Sequence, residues 1–209
     1  MKKIISLLCA VLLMCMVVGC SKDNNDKKDT EEPAKKQQEV TSDKDVTLAD
    51  WDGTWNSIEG YYEDKEVKEA LDQVAKADDV DVKTLTDEKL KECHVPWLGL
   101  KIEGDKITFL DNFASREGKE IESVKYKFVE MKTVEGEEDE HSHWAVFKAE
   151  GDAEHPVLIM MPVHGEDEIT HFHIRCGDNA EKLLEMNDWW PVMAKDTSTM
   201  DQVVAEVSN

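Results

Sequence analysis

From Leu98 onward the chain alternates apolar and polar residues with a period of two, and this limits its fold more than any other feature. LGLKI (98–102) and ITFL (107–110) flank a tight turn at Gly104-Asp105. In SVKYKFVEM (123–131), Val124, Tyr126 and Phe128 share one face and Lys125 and Lys127 the other. WAVFKAE (144–150), VLIMMPV (157–163) and HFHIRC (171–176) continue the series. Short strands joined by short polar turns pair antiparallel. With one more strand near Trp55 there are about six or seven, and the order predicts a mainly-β fold, an antiparallel barrel with helices added. No internal repeat is present.

The added helices have a period near 3.6. Residues 64–92 read as helical, with Val67, Ala70, Leu71 and Val74 as an i, i+3, i+4, i+7 stripe. A second, shorter helix starts near Thr86, a candidate N-cap. AEKLLEMNDWW (180–190) returns to helix. A final helix over 199–207 carries Met200, Val203, Val204 and Val207, with Ser198 and Asp201 resembling a capping box. Upstream, Thr47 and Asp50 form another capping box before WDGTWNSIEGYY. Periodicity over Trp51–Tyr62 fits a helix and a strand equally. Gly53-Thr54-Trp55 is a G-x-W, the pattern that opens the first strand of lipocalin-like barrels, so a turn of helix entering a first strand is expected.

The N-terminus predicts export. Lys2 and Lys3 precede the fifteen-residue apolar stretch IISLLCAVLLMCMVV, which ends in VVGC. That is a lipobox, and it predicts a signal peptide over 1–19 with cleavage before Cys20 and lipid on its thiol. Residues 20–46 are polar, lack aromatics and read as a disordered tether spanning on the order of 30 Å. The folded domain is expected over 47–209, in the bacterial cell envelope outside the cytoplasmic membrane, held to the membrane by the lipid alone. The formal charge of −22 disfavours nucleic acid and anionic membrane surfaces and attracts cations. Cys9 and Cys15 leave with the leader and Cys20 is lipidated, so Cys93 and Cys176 remain. In an oxidising compartment the two thiols can pair, and the competing reading is a Cys93-His94 metal contact.

Three histidines carry the chemistry. His171 and His173 are two apart on a strand, so both imidazoles face one way while Phe172 and Ile174 face the other. His164 ends the preceding apolar run, and the short polar GEDEIT (165–170) can fold it back beside the pair as a hairpin. Three imidazoles with a fourth position for water, for Glu166, Asp167 or Glu168, or for another His make a divalent-metal site. A second group, VEGEEDEHSHW (134–144), places five acids before His141 and His143 and reads either as a solvated acidic loop or as an accessory metal collector. His155 has no partner in sequence and reads as a surface residue.

TLADWDGTWNSIEG, HFHI with GDN, LLEMNDWWP and TSTMDQVVAEV together resemble the ZinT (YodA) family of calycin-like, zinc-binding extracytoplasmic proteins, over roughly residues 47–209. The resemblance implies a lipocalin/calycin-like barrel with a small helical insertion after the first strand and C-terminal helices. It implies His164, His171 and His173 as ligands of Zn2+, with other divalent transition metals able to compete. It further implies a non-enzymatic role, capturing zinc and supplying it to an ABC-type zinc importer. Two other classes remain open: a zinc-dependent hydrolase using metal-bound water, and a lipocalin-type binder of an apolar small molecule. Imidazoles bind metal only when neutral. Zinc affinity is therefore expected to fall as pH drops through about 6.5, the reference histidine pKa. An affinity that stays flat from about pH 8 to 5 in a competition assay would contradict a three-His site.

Overall fold

In the computed structural model, residues 46–134, 143–165 and 169–208 are described. The elements are β1 (Gly53–Ser57), α1 (Lys65–Asp78), α2 (Val82–Cys93), β2 (Gly99–Glu103), β3 (Lys106–Leu110), β4 (Glu120–Thr133), β5 (His143–Ala149), β6 (Val157–Met160), β7 (His164–Gly165), β8 (Thr170–Gly177), α3 (Ala180–Leu184), β9 (Val192–Lys195) and α4 (Met200–Ser208). The strands run in the order β6-β5-β4-β3-β2-β1-β9-β8, and a β6–β8 ladder closes the ring. The result is an eight-stranded antiparallel barrel, with β7 a two-residue ladder on β8. This is the mainly-β antiparallel barrel expected from the alternation and the lipocalin-like form that the resemblance implies.

Alternate side chains from each strand fill the barrel. Trp55, Leu100, Ile102, Phe109, Tyr126, Phe147, Leu158, Phe172 and Ile174 form one buried cluster. Trp55 meets Phe172 edge to face at 4.8 Å, and its indole N–H donates to Trp51 O at 2.8 Å. Trp51 in turn donates to Met161 O at 2.7 Å, so the entering turn is tied to the far side of the ring. Gly53 shows why the G-x-W needs its glycine. Its φ is 141°, and a Cβ there would lie 2.0 Å from Lys195 Nζ, which sits over the Trp55 ring. Gly104 has φ 64° in the β2–β3 turn, as the tight turn requires.

Helices cover the outer face. Val67 and Leu71 of α1 and Val203 and Val207 of α4 pack on Val192 and Ala194 of β9. Ala180 and Leu183 of α3 pack on Trp144, Val146, Val157 and Ile159. β6 is thus buried on both faces, which is why VLIM reads as a continuous apolar run. Among the described residues no helix is long and apolar enough to cross a membrane.

Several local expectations are corrected. α1 ends where Asp79 adopts φ 56°, and the chain restarts at Asp81, whose carboxylate accepts from Thr84 N–H at 2.9 Å. Asp81, not Thr86, caps α2; Thr86 lies inside the helix and donates to Val82 O. At α4 the reciprocal box is Thr199 with Gln202, one residue later than Ser198 with Asp201. Only Ala180–Leu184 of the 180–190 segment is α-helical, and Val192–Lys195 is a strand the alternation did not show. His155 is half-buried rather than a free surface residue. It packs against Trp97 and Phe109, with ring centroids at 5.1 and 5.9 Å, and burial pulls its pKa below the usual histidine value. Cys93 and Cys176 are free thiols rather than a disulfide. They belong to different clusters, Cys93 to the one under α1 and α4 and Cys176 to the edge of the barrel interior. Burial pushes each thiol up to about 12. The signal peptide, Cys20 and the tether lie outside the described residues.

Trp55→Ala removes the ring on which the interior closes. The expected loss of stability is about 3–5 kcal/mol, against about 0.5 or less for Ile121→Thr on the exposed side of β4. Urea unfolding checks both.

Candidate metal centre

The candidate site is made by pairing register. β7 and β8 align His164 opposite His171 and Gly165 opposite Thr170. Residues directly opposite in an antiparallel pair project to the same face, and the two-residue strand period adds His173. The ring centroids lie 4.2 Å apart for His164 and His171, 5.4 Å for His171 and His173, and 5.9 Å for His164 and His173. One nitrogen from each ring falls within 4.8 Å of the others. A tetrahedral zinc ion with Zn–N of 2.0–2.1 Å needs its nitrogens about 3.3 Å apart. Small side-chain rotations therefore suffice. The alternating residues Phe172 and Ile174 point into the barrel, so the site is on the outer surface and not in the lumen.

The surroundings suit neutral imidazole ligands. His171 is 4% exposed, and His164 and His173 are half-buried. On the β9 side, His171 lies opposite Ala194, whose methyl group takes little room, and His173 lies opposite Val192. Nδ1 of His164 is 2.9 Å from Pro162 O, and Nδ1 of His171 is 3.2 Å from Ile169 O. A ring donating from Nδ1 to a carbonyl carries its lone pair on Nε2, the tautomer that ligates. Imidazole nitrogens suit zinc, copper and nickel, whereas calcium and magnesium need oxygen ligands.

Other sequence candidates fall elsewhere. His143 opens β5 opposite Thr133 and is not a member of the three-histidine group. His141, Glu166, Asp167 and Glu168 lie outside the described residues. His94 does not join Cys93 at a metal-type cluster among the described residues; its Nδ1 faces Glu59 Oε1 at 2.9 Å. Sequence reasoning missed Trp190, whose ring lies perpendicular to that of His173 with centroids 5.6 Å apart, and Arg175 beside it. Arg175 was within reach of the strand argument, since it follows His173 by two on the same face.

The family model described as ZinT (YodA) periplasmic lipocalin-like zinc-recruitment matches residues 27–209. No curated protein matches the chain. Among solved structures, the Zn(II)-bound ZinT-like domain of Streptococcus pneumoniae AdcA is similar, with a TM-score of 0.55 and 22% identity over 80% of this chain and 93% of that one. Zn(II)-bound AdcA from the same organism gives a TM-score of 0.56 and 22% identity, over 79% of this chain and 36% of that chain. At this identity the likeness is one of fold, and the chain spans about a third of the longer protein.

A ligand that binds only the folded state stabilises it. Zinc at a hundredfold excess over Kd is expected to add about 2.7 kcal/mol, seen as an upward shift of the thermal melt that EDTA reverses. A melt unmoved by zinc would contradict a preformed site.

Proposed function

This chain belongs to the ZinT (YodA) periplasmic lipocalin-like zinc-recruitment family, and from that premise we propose that it is a lipid-anchored extracytoplasmic protein that captures zinc on His164, His171 and His173 and supplies it to an ABC-type importer. The observation that carries this reading is the convergence of three imidazoles within 4.8 Å on one hairpin. The Zn(II)-bound state of a similar ZinT-like domain supports zinc as the cargo, and that domain's place in AdcA supports a role in zinc acquisition. The lipobox before Cys20 supports the anchor. The charge of −22 supports cation collection, and the acidic loop with His141 and His143 is the proposed collector.

The role is coordination and not turnover. Three protein ligands leave one position open, which an acceptor needs in order to take the ion. The barrel interior is filled by buried aromatic and aliphatic side chains, which counts against an apolar ligand in the lumen.

Isothermal titration of zinc into the purified protein, beside a His171→Ala/His173→Ala double variant, tests the reading. The expected result is tight binding near one ion per chain that the double variant loses. Full binding in the double variant would move the site to the collector loop or to His94.

A further inference from the structure

Beyond the ligands, β8 carries a third outward residue, and it is not solvated. Arg175 is 1% exposed. Its Nε donates to Trp189 O and its Nη1 to Leu183 O, both at 2.8 Å. Its guanidinium lies over the rings of Trp144 at 4.6 Å and Trp190 at 4.5 Å. A buried cation is retained only where its charge and donors are matched. Here two carbonyls accept from Nε and Nη1, and two indole rings flank the charge. Only a planar fork can reach both carbonyls while its faces stack on aromatic rings, so a lysine would not substitute.

What this arrangement holds is the connection from α3 to β9. That segment has no ladder of its own before Val192. It is fixed at Trp190, whose N–H donates to Glu92 O at 2.7 Å and whose indole N–H donates to Asn187 O at 2.8 Å. The indole packs on Trp144 at 6.0 Å and stands at 85° to the His173 ring. The strand that supplies two candidate ligands thus also anchors, two residues on, the ring that flanks one of them.

We infer that Trp190 is a wall of the metal site and that Arg175 is its positioning residue, the two together slowing exchange of a zinc ion held by His164, His171 and His173. The inference rests on the metal-site reading above. Zinc leaves as water or an incoming ligand replaces imidazoles one at a time. A fixed indole perpendicular to the imidazole restricts rotation of His173 and covers that side of it. Groups that orient a metal ligand typically change affinity by about 10- to 100-fold when removed.

The test is the release of zinc from the loaded protein into excess chelator, followed by stopped flow with a zinc indicator dye. Trp190→Leu keeps apolar bulk but loses the ring, and Arg175→Lys keeps charge but loses the fork. Each is expected to release zinc about tenfold faster. Trp190→Phe keeps an aromatic ring and is expected to stay near the wild-type rate. Zinc is also expected to change wild-type tryptophan emission, and Trp190→Phe is expected to lose that change. Thermal melts of the zinc-free variants identify any that fail to fold. Should Trp190→Leu fail, Arg175→Lys and the emission change of Trp190→Phe decide. Zinc that binds through His171 and His173 but leaves the folded variants at the wild-type rate, with emission unchanged by Trp190→Phe, overturns this inference alone. Zinc that never binds the wild type removes the metal-site reading and this inference with it.

Discussion

The structure depends on the closure of the barrel at β8. This strand pairs with β9 along Ala194–Val192, with β6 through residues 174–177 and with β7 at residues 170 and 171. Three partners fix its register, and a slip of one residue would exchange its faces. Phe172 and Ile174 would then leave the barrel interior, and His171, His173 and Arg175 would enter it. Burial of apolar rings and alignment of the imidazoles are therefore one event. The alignment of His171 and His173 is set by the core because the core's register creates it.

Placing the site outside the barrel has consequences for exchange. A lumen packed with the rings of Trp55, Phe109, Tyr126 and Phe147 is an apolar setting for an ion. The outer face is instead bordered by the cluster under α1 and α4, which includes Ala194, and by the cluster under α3, which includes Trp144 and Trp190. His164, on the short β7 ladder, is the ligand candidate held by the fewest backbone bonds. Its strand partner His171 is buried, so the hairpin joins a firm imidazole to a looser one. A carrier that must both hold and yield its ion is served by that asymmetry.

Much of this was legible in the sequence because it rests on local rules. The two-residue alternation exposed β2 through β5 and β8, the apolar run VLIM exposed β6, and the spacing of His164, His171 and His173 around a polar turn foretold their meeting. Thr47 with Asp50 formed as read, the Thr47 N–H donating to the Asp50 carboxylate at 2.8 Å. What was hidden depends on distant partners. β9 is four residues long and almost wholly buried on both faces, so it shows no alternation, yet it bridges β1 and β8. His155 finds Trp97 and Phe109 only once the barrel folds. The start of α2 at Asp81 follows from the left-handed turn at Asp79, among several polar residues that could each have capped a helix. Nothing in the sequence singled out Arg175, because its carbonyl partners, on Leu183 of α3 and Trp189 beyond it, come to it only when that segment packs against β8.

The central claim is that three imidazoles from one hairpin hold the ion. X-ray absorption spectroscopy of the zinc-loaded protein tests it most directly. The account predicts a first shell with three imidazole nitrogens at about 2.0–2.1 Å, with outer-shell scattering from the rings. A shell containing sulfur at about 2.3 Å, or only oxygen, would contradict it by moving the ion to a thiol or to the acidic surface.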